Sequence, residues 1–496
     1  MQLGVAETII AIVAAWMVIY LVLSYVGAKL TPLRNVDAYL TGGRTAGILP
    51  IWMIMLTGTT SGFAFVGVTG FAGLTGLFAA SAIWWWVLGF ILCASLVWYP
   101  ANILGRKYGY NSCADLFMDR YESKGLGLLL AIIWLIYTIP YMMVQVIAAG
   151  TLWQAGSGGI LPYETGIIFM ALVFIIYTYI GGLRGLLIIG IAQGILILIM
   201  QYVILGFGVA SIPDGMVGAY SWLATHHPEL LKPGYWSVPM GISWLFFLGA
   251  GWVTWAHILP RAYAIRDPAT TRKVIALFAL TAPFICWLHW GLWPAPMRYL
   301  VGKVPPDYAL PTILYKYCPL PITGLGIAAG LAACMSTAAT MLISMGGIIG
   351  REIYQTWINP NASERRILWV TRIFVLIWGA IVLLLSLKPP AIIVVIAGVS
   401  MAGTLVLLFP MITAIWWPRA NKYGAIAGII AGEIVVAFQV ITGYTHVSPW
   451  FGFHISVWGL LACAVVQVIV TYLTPPPSEE VKKKFHGYLQ KRILGK

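Results

Sequence analysis

Segments of about eighteen or more predominantly apolar residues recur from one end of the chain to the other, each long enough to cross a bilayer as a helix. Inside hydrocarbon the backbone must satisfy its own N–H and C=O groups, so the pattern dictates an all-α polytopic membrane protein. Composition agrees: 60% of the 496 residues are hydrophobic and only 9% are charged. Thirteen transmembrane helices are predicted. The second falls near 47–72, the fifth and sixth near 162–180 and 185–210, the seventh near 238–260 and the ninth near 321–349.

Lysine and arginine set the orientation. With the N-terminus outside, all of the 29 basic residues except Lys232, Arg298, Lys303, Lys316 and Lys388 fall in cytoplasmic loops, the tail or a cytoplasmic helix end. An N-out/C-in topology is therefore predicted. The net charge of +14 is spread over many short loops. It reads as a topology signal, and no nucleic-acid partner is expected. The N-terminus lacks a basic n-region and a small-residue cleavage site, so the first span is expected to be retained. Six cysteines (Cys93, Cys113, Cys286, Cys318, Cys334 and Cys463) show no metal-ligand spacing, and most lie within spans.

The stretch TGTTSGFAFVGVTG, from Thr57 to Gly70, is out of place in a lipid-facing helix, with five hydroxyls and four glycines. A glycine-loosened helix is tolerated at bilayer depth only beside protein or a polar cavity. Freed carbonyls and hydroxyls there would form an oxygen-rich cage able to replace the water shell of a hard alkali cation. Close helix packing through small residues is the alternative reading. A second interrupted segment favours the cage. The seventh span, GISWLFFLGAGWVTWAHILPR, is predicted to break at Gly249 and Gly251. Residues 46–210 and 238–417 each hold five spans of opposite topology, and each set opens on a glycine-interrupted helix. Paired interruptions of that kind mark the central site of a transporter.

The ninth span carries GLAACMSTAATMLISMGG. Ser336, Thr337 and Thr340 share a face there, and Ala333 precedes Thr337 by four residues. Back-bonding to a carbonyl one turn earlier explains one such hydroxyl better than three. In the fourth span Pro140 predicts a kink, with Tyr141 and Gln145 pointing the same way. Gln145 either binds substrate or joins two helices. Trp84, Trp85 and Trp86 cannot share one helical face, so at most one or two of them can line a cavity.

Four motifs occur in a telling order: LTGGR before the first interrupted helix, GGLRG with Gln193 after it, HILPRAYAIRD at 257–267, and AACMST in the ninth span. Together they resemble the sodium:solute symporter family over nearly the whole chain. KPPAIIVVI at 388–396 and WWPRANKYGAIAG at 416–428 resemble its pantothenate and monocarboxylate branch. The resemblance implies a leucine-transporter-type five-plus-five inverted repeat. An extra helix and cytoplasmic loop would occupy 1–45, the first repeat 46–212, an extracellular loop 213–237 and the second repeat 238–418. Two C-terminal helices would follow over 419–474, then a basic cytoplasmic tail over 475–496. The resemblance also implies Na⁺ as coupling ion. Backbone carbonyls of Thr57, Thr60 and Ala333 would hold it, with side-chain oxygens of Ser336 and Thr337. Two departures stand out: Thr59 where some members carry aspartate, and Ile189-Gly190 where a Thr-Asp pair is common. Both remove acids, so H⁺-coupled and uncoupled transport are alternatives. Coupling to protons would need a titratable group near the site, for which Glu433, His289 and His257 are the candidates.

Substrate is expected at the two breaks, near the midplane. Gly62 and Phe63 would contribute from the first break, and Phe247, Gly249, Trp252 and Trp255 from the second. Tyr141, Gln145 and Trp85 would complete a mostly aromatic pocket with few polar anchors. No lysine or arginine is expected there. A small organic acid, monocarboxylate or pantothenate-like, suits such a pocket better than a sugar. A membrane enzyme would need clustered acids or histidines. His226-His227 with Glu229 is the nearest approach, so no enzyme is expected. A transport-like nutrient sensor is a further alternative. The expected setting is the plasma (inner) membrane, multi-pass, with lipid and a small solute as partners and no obligate protein partner evident.

Overall fold

The computed structural model describes residues 2–30, 35–234, 237–284 and 288–493. Cys286, and the side chain of His289, lie outside the described residues. In chain order the apolar helices are α1 (Gly4–Leu30), the bent pair α2 (Ile48–Thr59) and α3 (Phe63–Thr75), α4 (Trp84–Tyr108), α5 (Lys124–Gly156) and α6 (Tyr163–Ala210). They continue with the shorter α7 (Val238–Thr254), α8 (Leu320–Ile358), α9 (Glu364–Leu385), α10 (Ile393–Trp416), α11 (Lys422–Ile441) and α12 (Ile455–Leu473). Among the described residues, nine helices are each long and apolar enough to cross a bilayer, and the α2–α3 pair makes a tenth crossing.

The 48-residue α6 would measure about 70 Å if straight, more than twice the hydrocarbon thickness. Gly182 interrupts it between the two segments predicted at 162–180 and 185–210, with φ 52° and ψ −162°. That backbone shape is essentially confined to glycine. An added Cβ would also stand 2.7 Å from Tyr39 Cδ2. Gly182→Ala is therefore expected to cost about 1–3 kcal/mol, seen as a lower thermal-unfolding midpoint of the purified protein. An unchanged midpoint would contradict this assignment.

α8 forms the centre. Its apolar window is buried throughout, and it packs on α1, α2, α5 and α6. The small-residue run GLAACMSTAAT allows that close approach from several sides. By contrast only 28% of the apolar window of α1 is buried, which leaves side chains such as Val18 for lipid. Pro140 does not end α5, which runs unbroken from Lys124 to Gly156.

The two interrupted elements differ in form. The α2–α3 pair bends by 47° across its break. α7 is regular over Val238–Trp244, widens by a residue per turn over Leu245–Ala250 and tightens over Gly251–Thr254. The chain is then extended at Trp255 (φ −70°, ψ 135°) before a short helix, Leu259–Ala264. The break thus falls at Trp255, later than the predicted Gly249 and Gly251. Gly249 serves a different end, bringing α7 against α4: an added Cβ there would lie 2.7 Å from Trp86 O and 2.8 Å from Gly89 Cα. Main-chain bonds tie the two elements together at one end. The Ala46 N–H donates to Ala264 O at 3.0 Å and the Arg266 N–H to Ala46 O at 3.1 Å.

Candidate functional site

The break in α2–α3 exposes main-chain oxygen inside the bundle. Thr60 leaves the helix with φ −91° and ψ 55°, so Ser61 is out of phase to close the turn onto Thr57. The Thr57 carbonyl receives the Ser336 hydroxyl of α8 instead, at 3.2 Å, and that hydroxyl also lies 3.0 Å from Ala333 O. Thr60 Oγ1 and Thr337 Oγ1 are buried and make no hydrogen bond to any described group. From α6, the Tyr177 hydroxyl donates to Met335 O at 3.0 Å and steadies this turn of α8. Of the five residues singled out for the cation, Thr57, Ala333 and Ser336 meet at one α2–α8 contact, and Thr60 and Thr337 are their near neighbours in the sequence. Their donor set is neutral oxygen throughout, the chemistry that suits a hard monovalent cation. A buried hydroxyl without a partner costs about 1–3 kcal/mol, so each of these two is a group that a cation could satisfy. The reading from sequence offered Thr60 through its carbonyl; its hydroxyl is a further buried oxygen without a partner.

Gln145 of α5 occupies the other side of the break. Its Oε1 accepts the Gly62 N–H at 2.9 Å, and its Nε2 donates to Tyr141 O at 3.3 Å. In the structure it joins two helices, capping the first turn of α3. Gly62 must be glycine here, because an added Cβ would meet Cys334 Sγ at 2.8 Å and Ala148 Cβ at 2.9 Å. Gln145→Leu leaves a buried N–H without a partner and is expected to cost about 1–3 kcal/mol. Thermal unfolding of the purified variant checks this; a midpoint equal to wild type would remove the cap from the account.

The aromatic residues assigned to substrate divide into separate groups. Phe63, Tyr141 and Trp255 adjoin one another, with ring centroids 6.3 Å apart for Phe63–Tyr141 and 4.7 Å for Tyr141–Trp255. All three are buried beside the α2–α3 break. Trp252 faces elsewhere, onto Phe90 at 5.2 Å and Phe278 at 6.0 Å. Phe247 stacks on His454 at 4.5 Å. Trp85 packs against Gly241 of α7, Trp84 is exposed, and Trp86 stacks on Trp290 at 5.4 Å.

Arg261 is a basic side chain that the sequence reading did not place beside the cation residues. It is 1% exposed. Its Nη1 donates to Ile54 O at 3.3 Å and its Nη2 to Thr340 Oγ1 at 2.8 Å. The guanidinium thus bridges α2 and α8 one helical turn from Ser336. Gly58 makes room for it, since a Cβ there would sit 2.8 Å from Nη1. The sequence puts HILPR near the cytoplasmic end of its span; in the structure the chain is extended at Trp255 and Arg261 is buried. Of the titratable candidates, Glu433 is bonded to the Tyr137 hydroxyl at 2.7 Å, between α5 and α11. His257 lies beside Trp255, with ring centroids 5.8 Å apart.

Two interrupted helices tied together at one end beside a buried central helix are an architecture that secondary transporters use. The chain belongs to the sodium:solute symporter family, whose sequence model matches residues 39–432. It is 27% identical to the sodium/pantothenate symporter of Escherichia coli over 474 residues, covering 92% of this chain and 94% of that protein. The osmoregulated proline transporter OpuE of Bacillus subtilis is 24% identical, with coverage of 93% and 94%. Among solved structures, a Na⁺-coupled sialic acid symporter in a substrate-bound outward-open state superposes with a TM-score of 0.80 at 17% identity, covering 95% of this chain and 99% of that one. A nucleobase-cation-symport-1 family transporter with bromovinylhydantoin bound gives a TM-score of 0.61 at 13% identity, covering 92% and 99%. The fold is of the leucine-transporter type, and the protein is a multi-pass Na⁺-coupled symporter of a small solute.

Proposed function

We propose that this symporter takes up a small organic acid, pantothenate-like or a monocarboxylate, with Na⁺ held at the α2–α8 contact by Thr57, Thr60, Ala333, Ser336 and Thr337. The observation that carries the cation site is the meeting of the Thr57 carbonyl and the Ser336 hydroxyl beside two buried hydroxyls without partners. The solute sits against Phe63, Tyr141 and Trp255 in this proposal, with Gly62 and Gln145 shaping the floor. Two things support an anion there. The N-terminus of α3 opens at the break, and a helix N-terminus favours negative charge. A relative aligned along nearly its whole length is named a sodium/pantothenate symporter. Phe247, Gly249, Trp252 and Trp85 take packing roles in this arrangement, consistent with their neighbours.

The finer architecture proposed is thirteen spans, N-out and C-in, in the plasma (inner) membrane, with the five-plus-five repeat over 46–212 and 238–418. The kink at Gly182 and the basic-residue distribution support it. Na⁺ entry down its gradient would drive uptake with about 2.3 kcal/mol per charge per 100 mV. Coupling requires cation and solute to favour the same conformation, so each raises the affinity for the other.

Uptake of radiolabelled pantothenate, a panel of monocarboxylates and proline into proteoliposomes tests the reading, with inward Na⁺ or choline gradients. Accumulation of an organic acid with Na⁺ and none with choline is expected. Accumulation of proline alone would overturn the solute class, and equal uptake in choline would overturn Na⁺ dependence.

A further inference from the structure

The C-terminal segment packs onto the body of the protein. Val481, Phe485 and Leu489 are buried, the Tyr108 hydroxyl donates to Lys484 O at 3.2 Å, and Lys484 pairs with Asp119 at 2.5 Å. The short helix Tyr488–Ile493 is thereby brought beside the end of α4 and the helix Pro268–Ala282. Where the three meet is a cavity of about 520 Å³, within the size range of small-molecule sites. Arg106 and Lys107 line it from α4, Arg272 from Pro268–Ala282 and Arg492 from the C-terminal helix, together with Tyr99 and Tyr488. No aspartate or glutamate is among the described residues that line it.

Four positive side chains from three segments far apart in sequence repel one another across a shared space. Charges that only orient spans in a membrane do so from separate short loops and need no common cavity. Among the described residues none of the four makes an ion pair. Neighbouring acids are committed elsewhere. Asp267 accepts the Thr270 N–H at 2.7 Å and pairs with Arg266 at 3.2 Å, and Asp119 holds Lys484. Aromatic rings steady two of the cations: Lys107 Nζ lies 3.5 Å from the centre of the Tyr488 ring, and the Arg272 guanidinium 5.5 Å from that of Tyr99. Arg106 is anchored through Nη1, 3.4 Å from Ile265 O. Guanidinium forks match phosphate oxygens in pairs, and lysine adds a point charge. Basic pockets at the ends of spans suit anionic headgroups for that reason. We propose that this cavity binds a phosphate-bearing polyanion, a lipid headgroup or a soluble phosphate compound, which joins the C-terminal segment to α4 and the helix Pro268–Ala282. So large a space with so many cations takes a group of two or more negative charges rather than a chloride-sized ion. The proposal is independent of the cation cage and of the solute.

Binding to the purified full-length protein is the experiment, in two arms. Cardiolipin and phosphatidylcholine retained by the protein are counted by native mass spectrometry. Inorganic pyrophosphate is titrated by calorimetry into the protein in phosphatidylcholine nanodiscs. Tight binding of one cardiolipin or one pyrophosphate is expected, with no comparable retention of phosphatidylcholine. Retained cardiolipin assigns the source to the membrane, and pyrophosphate without cardiolipin assigns it to solution. Arg272→Gln and Arg492→Gln are each expected to weaken that binding about fivefold, and the two together about 30-fold. Lys273→Gln removes the same charge from an exposed neighbour outside the cavity, and is expected to change binding less than twofold. Equal losses in Lys273→Gln and Arg272→Gln, retention of phosphatidylcholine as firm as that of cardiolipin, or binding of neither polyanion would overturn the site. Should Arg272→Gln lower the thermal midpoint, Arg492→Gln decides, and unchanged binding there overturns the site.

Discussion

Replacing Ser336 and Thr337 together by alanine is expected to raise the Na⁺ concentration for half-maximal uptake by roughly two orders of magnitude. Each oxygen contact to a charged group contributes about 1.5–3 kcal/mol, and each 1.4 kcal/mol is a factor of ten in affinity. The fold should tolerate the change. Thr337 Oγ1 has no protein partner to lose, the Ser336 hydroxyl reaches only main-chain oxygens, and alanine is the better helix former. Expression and thermal midpoint near wild type, with the Na⁺ requirement shifted, is the expected pattern. Unchanged Na⁺ dependence in a well-folded double variant would remove these residues from the cation site.

The second large effect is at Arg261. Its guanidinium stands one turn from the proposed cage, bridging Ile54 O and Thr340 Oγ1. A fixed positive charge about 6 Å from a cation raises that cation's energy by about 2–3 kcal/mol at an effective dielectric near 20. In the proposed cation path, a guanidinium held on both helices acts as a gate against an ion passing Thr340. Arg261→Gln is expected to raise solute-independent Na⁺ flux into proteoliposomes roughly 30-fold or more. Its thermal midpoint should stay equal or rise, because a buried charge without an ion-pair partner is costly to keep. A variant with tight coupling and normal uptake would contradict the gating role.

Much of this was legible where the signal is local. Apolar runs name the helices, and the hydroxyls and glycines between Thr57 and Gly70 announce a break because no lipid-facing helix needs them. The α8 face carrying Ser336 and Thr337 follows from helical period alone. Features that depend on a distant partner were harder to read. Gly249 looks like a hinge by composition, yet its lost side chain admits the backbone of Gly89. Trp252 and Trp255 are three residues apart and would share a face in a regular helix. The tight turn at Gly251–Thr254 and the extended Trp255 part them, so that only Trp255 joins Tyr141. Arg261 was assigned to a helix end because hydropathy assumes a continuous rod, and the chain unwinds just before it. Gln145 could not be decided from sequence because its partner, the Gly62 N–H, exists only once α3 has begun afresh.

Crystals of the full-length protein exchanged from Na⁺ into Tl⁺, whose anomalous scattering marks a monovalent cation directly, put the cage to the sharpest test. An anomalous peak in contact with the Thr57 and Ala333 carbonyls and the Ser336 and Thr337 hydroxyls is the expected result. A peak elsewhere in the bundle, with those four oxygens closed on one another, would contradict it.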